Sequence, residues 1–216
     1  MDASTQPKSL DSSSSGRPDK AQTILAGALE VFTTQGYSAA SMDRIAAAAG
    51  VSKSTLYSYF QDKERLFVAV IQQLMRNNHQ MIFRLLANPD LQDPPDIVLR
   101  QIATTVLKEF SENRPLSTLM RLIIGESERF PGLAQTFVRE IQKPLLENLS
   151  LYFASQPQLK LPDPMVTARM FSGSLVHYII VQEIMQGNKI VPLERDRMID
   201  GIVSLITTVN RGDRDA

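Results

Sequence analysis

The chain has 216 residues, 43% of them apolar, and its 23 Lys and Arg balance its 23 Asp and Glu. That length suits one large helical domain or a small domain joined to a larger one, and the apolar share excludes extensive disorder outside the ends. Zero cysteines exclude a disulfide framework, a thiolate zinc site and a cysteine nucleophile, and no apolar run reaches the length of a membrane span or forms a secretory core at the N-terminus, so a soluble cytoplasmic protein is expected.

Residues 1–17, MDASTQPKSLDSSSSGR, are too polar to bury surface and predict a mobile tail, with Lys8, Arg17 and Lys20 placed to act as a basic arm. Over residues 19–34, Ile24, Leu25, Ala28, Val31 and Phe32 recur at helical spacing, and Gly36 closes the segment. This helix is expected to roof residues 41–63, SMDRIAAAAGVSKSTLYSYFQDK, which read as two short helices joined by a glycine turn.

In the first of these, at about 100° per residue, Met42, Ile45, Ala46 and Ala49 gather on one side, Ser41 is placed as the N-cap, and Gly50 as the stop. Ala46 and Ala49 keep only a methyl between crossing helices, as a helix-turn-helix requires. In the second, Ser52 is the expected cap and Leu56 and Phe60 mark the buried side. Ser54, Thr55 and Ser58 lie opposite, small enough to enter a major groove, with Tyr57 and Tyr59 on flanks that would meet its phosphate walls. Lys53 is in reach of bases, with the acceptor pair of guanine its expected partner. Lys63 opens the next helix, where charge and free N–H groups suit a phosphate. Between Arg17 and Arg65 six basic residues face five acidic ones, so any positive face must come from placing Arg44, Lys53 and Lys63 together, and the salt slope should be modest.

The run G-V-S-x-x-T-L-Y-x-Y-F-x-x-K, here Gly50, Val51, Ser52, Thr55, Leu56, Tyr57, Tyr59, Phe60 and Lys63, resembles the signature of the tetracycline-repressor (TetR) family of one-component regulators. The likeness extends upstream through Gly36-Tyr37 and Met42-x-x-Ile45-Ala46 and covers roughly residues 20–65. It implies a DNA-binding head whose contacts come from Ser41, Arg44, Ser52, Lys53, Ser54, Thr55, Tyr57, Tyr59 and Lys63.

Downstream, residues 62–86 read as one long helix with Leu66, Phe67, Val70, Ile71, Leu74, Ile82, Leu85 and Leu86 on a broad stripe, a natural lever between head and body. Asn78 falls inside that stripe and His79 on its edge. Residues 88–95 are a turn-rich break. Helices are expected over 96–113 and from Pro115 through Ile124, and another from Pro131 to about residue 155 that Pro144 should bend. Residues 121–131, R-L-I-I-x-E-x-x-R-F-P, are similar to a segment of the ligand-binding domain class called AefR-like within the same family. After a loop at 157–164, residues 164–186 are apolar on nearly every side, with Val166, Met170, Val181 and Ile184 on one and Phe171, Leu175 and Ile179 on another. The last helix, about 194–209, carries Met198, Ile199, Ile202, Leu205 and Ile206.

The expected fold is therefore all-α, with a disordered tail at 1–17, a helix-turn-helix head at 18–65, a ligand-binding and dimerisation body at 66–210 and a flexible end at 211–216. Phe171, Leu175, Ile179, Ile202, Leu205 and Ile206 are the expected homodimer contacts, with Gly173, Ser174 and Gly201 allowing close approach. His177 reads either as a core histidine or, with Tyr178, Asn78, His79 and Glu126, as a polar group in an apolar ligand cavity. No H-E-x-x-H, nucleophile elbow or phosphate loop is present, and Glu126 and Glu128 diverge on a helix, so neither enzyme nor metal nor cofactor is expected. The resemblance implies a ligand-responsive repressor; two heads in a symmetric dimer imply an inverted-repeat operator on double-stranded DNA, and a cavity with few polar groups implies release by a mostly hydrophobic small molecule. The competing readings are an apolar-ligand carrier that keeps the head unused and a DNA binder without effector.

Overall fold

The computed structural model describes residues 20–87 and 93–208, apart from the side chains of residues 76–81 and 83–87. The tail at 1–17, the end at 211–216 and the side chains of Asn78 and His79 lie outside the described residues. Every regular element among the described residues is helical: α1 (Lys20–Ala39), α2 (Met42–Ala48), α3 (Lys53–Tyr59), α4 (Lys63–Ala87), α5 (Pro95–Glu112), α6 (Arg114–Glu126), α7 (Pro131–Phe137), α8 (Lys143–Ala154), α9 (Pro164–Tyr178) and α10 (Arg195–Thr208).

Local chemistry sets the breaks in the head. Gly36, at φ 79°, interrupts α1 near its end. Ser41 caps α2 by accepting from the Arg44 N–H at 3.3 Å, and Ser52 caps α3 by accepting from Thr55 N–H at 3.1 Å. Gly50 joins them in the left-handed conformation, φ 62°, as expected for the turn. The close crossing is made against α1: a Cβ on Gly27 would stand 2.7 Å from the Ala49 nitrogen, so only glycine fits there. The Asp62 carboxylate accepts from Arg65 N–H at 2.7 Å and starts α4.

Head and body share one hydrophobic core rather than two. Phe32 of α1 meets Phe67 of α4 edge-on at 4.8 Å, and Tyr37 meets Phe67 at 5.3 Å and Phe130 of the body at 5.1 Å. α4, about 37 Å long at 1.5 Å per residue, packs on α1, α5, α7 and α8. α8 lies against α9, and α5 against α10.

Two helices widen locally. Between α7 and α8 the segment Val138–Gln142 is a π turn, closed by the Lys143 N–H on the carbonyl of Val138, five residues back. Pro144 supplies the cause, because it has no N–H to give and its ring crowds the carbonyl four residues earlier. A second π turn, Ile179–Ile184, continues α9 and is closed by Met185 N–H on Ile180 at 2.8 Å. The Arg121 guanidinium of α6 donates to the carbonyls of Glu183 at 3.1 Å and Ile184 at 3.3 Å, which ties this turn to α6.

Candidate nucleic-acid interface and effector cavity

α3 buries Leu56 and leaves Ser52, Lys53, Ser54, Tyr57, Ser58 and Tyr59 exposed. Its first turn is a hydroxyl cluster, with Ser52 Oγ 2.9 Å from Ser54 Oγ and 2.8 Å from Thr55 Oγ1. Lys53 Nζ pairs with the Asp43 carboxylate of α2 at 2.8 Å, and that hydrogen bond holds the ammonium pKa above its usual value. Both partners are exposed, and such a pair is weak and salt-screened, so it opens readily when a stronger partner arrives.

The other two expected cations are turned away from a common face. Lys63, expected on a phosphate, donates from Nζ to the carbonyls of Tyr37 and Ala40, each at 2.9 Å, and lies 4.3 Å over the Tyr37 ring. The free carbonyls that end α1 attract it there, and partial burial lowers its pKa. Arg44 donates to the Gln35 side chain and the Ala39 carbonyl, both at 3.0 Å. The positive surface is therefore smaller than the placement of Arg44, Lys53 and Lys63 on one face would give.

Tyr37 sits beneath this cation, fully buried. Burial chiefly, and the Glu64 carboxylate next, push its pKa well above the usual phenol range. Glu126, expected in the ligand cavity, instead contributes charge to this same junction of Tyr37 and Lys63.

The cavity lies deeper in the body and encloses about 270 Å³. α4, α5 and α6 contribute Met75, Ile82, Ile102, Phe110 and Ile123; the two π turns contribute Ile141, Gln142, Ile179 and Ile184. Gln142 and Ser172 are the polar side chains among its described lining residues. It opens beside Ile124 of α6, 50% exposed, and Val176 of α9, 39% exposed.

Two sets of expectations are corrected. Glu126, His177 and Tyr178 do not line the cavity: His177 points to solvent, and Tyr178 is buried elsewhere in the core. Asn78 and His79 fall at i+3 and i+4 between Met75 and Ile82, which do line it, but their side chains lie outside the described residues. Phe171, Leu175, Ile179, Ile202 and Ile206, expected at a partner subunit, are buried in this chain's own core, the first three against the cavity. Of the six, Leu205 alone is exposed, at 53%. The exposed stripe of α9 is the opposite one, Val166, Met170, Gly173 and His177.

Sequence reasoning missed Gly27, Asp43, Gln142 and Ser172. Asp43 had a signal, since a carboxylate on the outward side of α2 stands within reach of the first turn of α3. Gln142 had none, because the π turn shifts every residue's facing by a step that no helical period anticipates.

Fold and surface together define a helix-turn-helix DNA-binding protein with an all-helical body. Residues 24–70 match the family described as "Bacterial regulatory proteins, tetR family", and residues 97–209, more than half of the chain, match "AefR-like transcriptional repressor, C-terminal domain". The chain belongs to the TetR family of transcriptional regulators, which are not enzymes, with a C-terminal domain of the AefR-like class.

Similar proteins include the transcriptional activator FasR of Mycolicibacterium smegmatis, 46% identical over 61 residues, 28% of either chain. The transcriptional regulator AcrR of Shigella flexneri is 33% identical over 107 residues, 50% of this chain and 49% of its own. The matches thus span half or less of those relatives' length. Among solved structures, a TetR-family regulator from Mesorhizobium loti has 25% identity and a TM-score of 0.69, covering 88% of this chain and 96% of that one. FadR from Bacillus subtilis in complex with stearoyl-CoA has 21% identity and a TM-score of 0.65, covering 87% and 97%.

Proposed function

We propose that the chain is a homodimeric, ligand-responsive repressor that binds an inverted-repeat operator and is released by a mostly hydrophobic small molecule. The observation that carries the effector half is the cavity: apolar, just below the roughly 300–1,000 Å³ typical of ligand sites, and furnished with neutral donors and acceptors at Gln142 and Ser172. An acyl chain with a neutral polar group fits that chemistry, and FadR and AibR, structures of similar fold, are complexes with stearoyl-CoA and isovaleryl-CoA. Asn78 and His79, at helical spacing between two lining residues of α4, are further polar handles in this reading.

For the DNA half, Ser52, Lys53, Ser54, Thr55, Tyr57 and Tyr59 are the groups that meet the duplex, with Ser41 and Arg44 at its edge. Lys63 supports the surface from behind by fixing the end of α1. Dimerisation is supported by the open apolar stripe of α9 with Leu205 of α10, where a Cβ on Gly173 or Gly201 would meet nothing within 4 Å. Two heads then read two half-sites roughly 34–36 Å apart or a multiple of that. Ligand acts by population shift, binding the DNA-incompetent arrangement more tightly.

Duplexes selected from a random pool by the full-length protein and then footprinted are expected to show a protected inverted repeat, displaced by acyl-CoAs of graded chain length. A pool without any enriched repeat would sink the DNA half, and an operator complex indifferent to the whole acyl series would remove that ligand class.

A further inference from the structure

The segment from α7 through its π turn faces two hollows. On one side Phe137, Ile141 and Gln142 line the apolar cavity. On the other, Thr136 and Glu140 line a separate polar cleft of about 470 Å³, whose far wall is Tyr59, Gln61 and Arg65 at the corner between α3 and α4. The same helix touches the head at its start, where a Cβ on Gly132 would stand 4.0 Å from Glu64 Cγ and its N-cap Phe130 packs on Tyr37. This short, widened element and α4, whose Met75 and Ile82 line the cavity and whose Val68 and Gln72 line the cleft, thus both stand between the cavity and the corner that carries the exposed helix α3.

α4 is less suited to act alone. Its first turn is fastened to α1 by Lys63 on the Tyr37 and Ala40 carbonyls and by Phe67 in the aromatic cluster, so the start of α4 and the head move as one body. α7 with its π turn touches that body from outside it while also lining the cavity, which gives a second point of push beside the wall that α4 itself contributes. A densely packed wall passes displacement on, and the cleft beyond leaves room for it to travel.

We propose that the π turn Val138–Gln142 is the strut by which an occupied cavity moves the DNA-reading head: a ligand pressing on Phe137, Ile141 and Gln142 drives Thr136 and Glu140 toward Tyr59 and Arg65, closing the cleft and tilting α3. The inference rests on the effector reading above and adds its route.

The absence of cysteine allows the cavity to be filled without knowing the natural ligand. In full-length Ser172→Cys, decyl methanethiosulfonate installs one S-decyl group through a disulfide, and affinity for the selected inverted repeat is compared before and after labelling. Labelling is expected to weaken binding at least about tenfold. Adding Glu140→Ala should cut that weakening below about threefold, and Glu140→Trp, at an exposed position, should weaken DNA binding without any label. A full response in labelled Glu140→Ala, or normal affinity in unlabelled Glu140→Trp, would overturn the strut alone. Unchanged affinity on labelling in the Ser172→Cys parent would overturn the effector reading and the strut with it.

Discussion

The head and the cavity of this chain are built by opposite rules. In the head each feature answers to a residue within a few positions of it: two serine caps, one left-handed glycine and a three-residue hydroxyl cluster. In the cavity no feature does, since its walls come from α4 through α9 and its polar groups, Gln142 on a π turn and Ser172 within α9, come from elements far apart in the chain. Local construction gives a surface whose chemistry is legible along the sequence, whereas a void exists only where several helices fail to meet.

The sharpest break of this comparison lies at the seam. Phe67→Ala, in the cluster shared by head and body, is expected to cost about 3–5 kcal/mol and to lower both DNA and ligand binding in denaturation and titration. If only one were lost, the shared core would be two independent ones. Gly27→Ala puts a methyl where the Ala49 backbone already stands, and overpacking of this kind costs about 1–3 kcal/mol. Hydrogen exchange should then rise in α1 and α2 and leave α8 and α9 unchanged.

Lys63→Met leaves the Tyr37 and Ala40 carbonyls without their donor, a loss of about 1–3 kcal/mol that thermal unfolding registers without DNA. Lys53→Ala, by contrast, should leave the unfolding midpoint in place and relax base preference at one operator position by roughly tenfold. Equal stability of the two variants would return Lys63 to the phosphate role first expected of it. Gln142→Leu is the smallest step: operator affinity stays, and ligands with a polar group lose roughly fivefold relative to their hydrocarbon analogues.

Much of the architecture was legible beforehand. Helical spacing located the helices, and the expected boundaries of the long one, residues 62–86, differ from Lys63–Ala87 by one residue at each end. The expected head contacts on α3 are exposed apart from Thr55, which is half-buried. Legibility failed where a residue's direction depends on something distant. Lys63 turned inward because the carbonyls ending α1 lie beside it, although they are 23 and 26 residues earlier. Phe171, Leu175 and Ile179 and the opposite stripe Val166 and Met170 are equally apolar in sequence, so periodicity could define two faces of α9 but not say which one meets the core.

The sequence by itself determined the all-helical class, the caps and turn of the head and the family, because each rests on hydrogen bonds or spacings closed within a few residues. Tertiary structure alone decided which apolar face is inside, where the cavity lies, and that a π turn lines it on one side while facing a polar cleft on the other. Those are relations among helices distant in the chain, and the widening that Pro144 enforces has consequences only once a neighbour is packed against it.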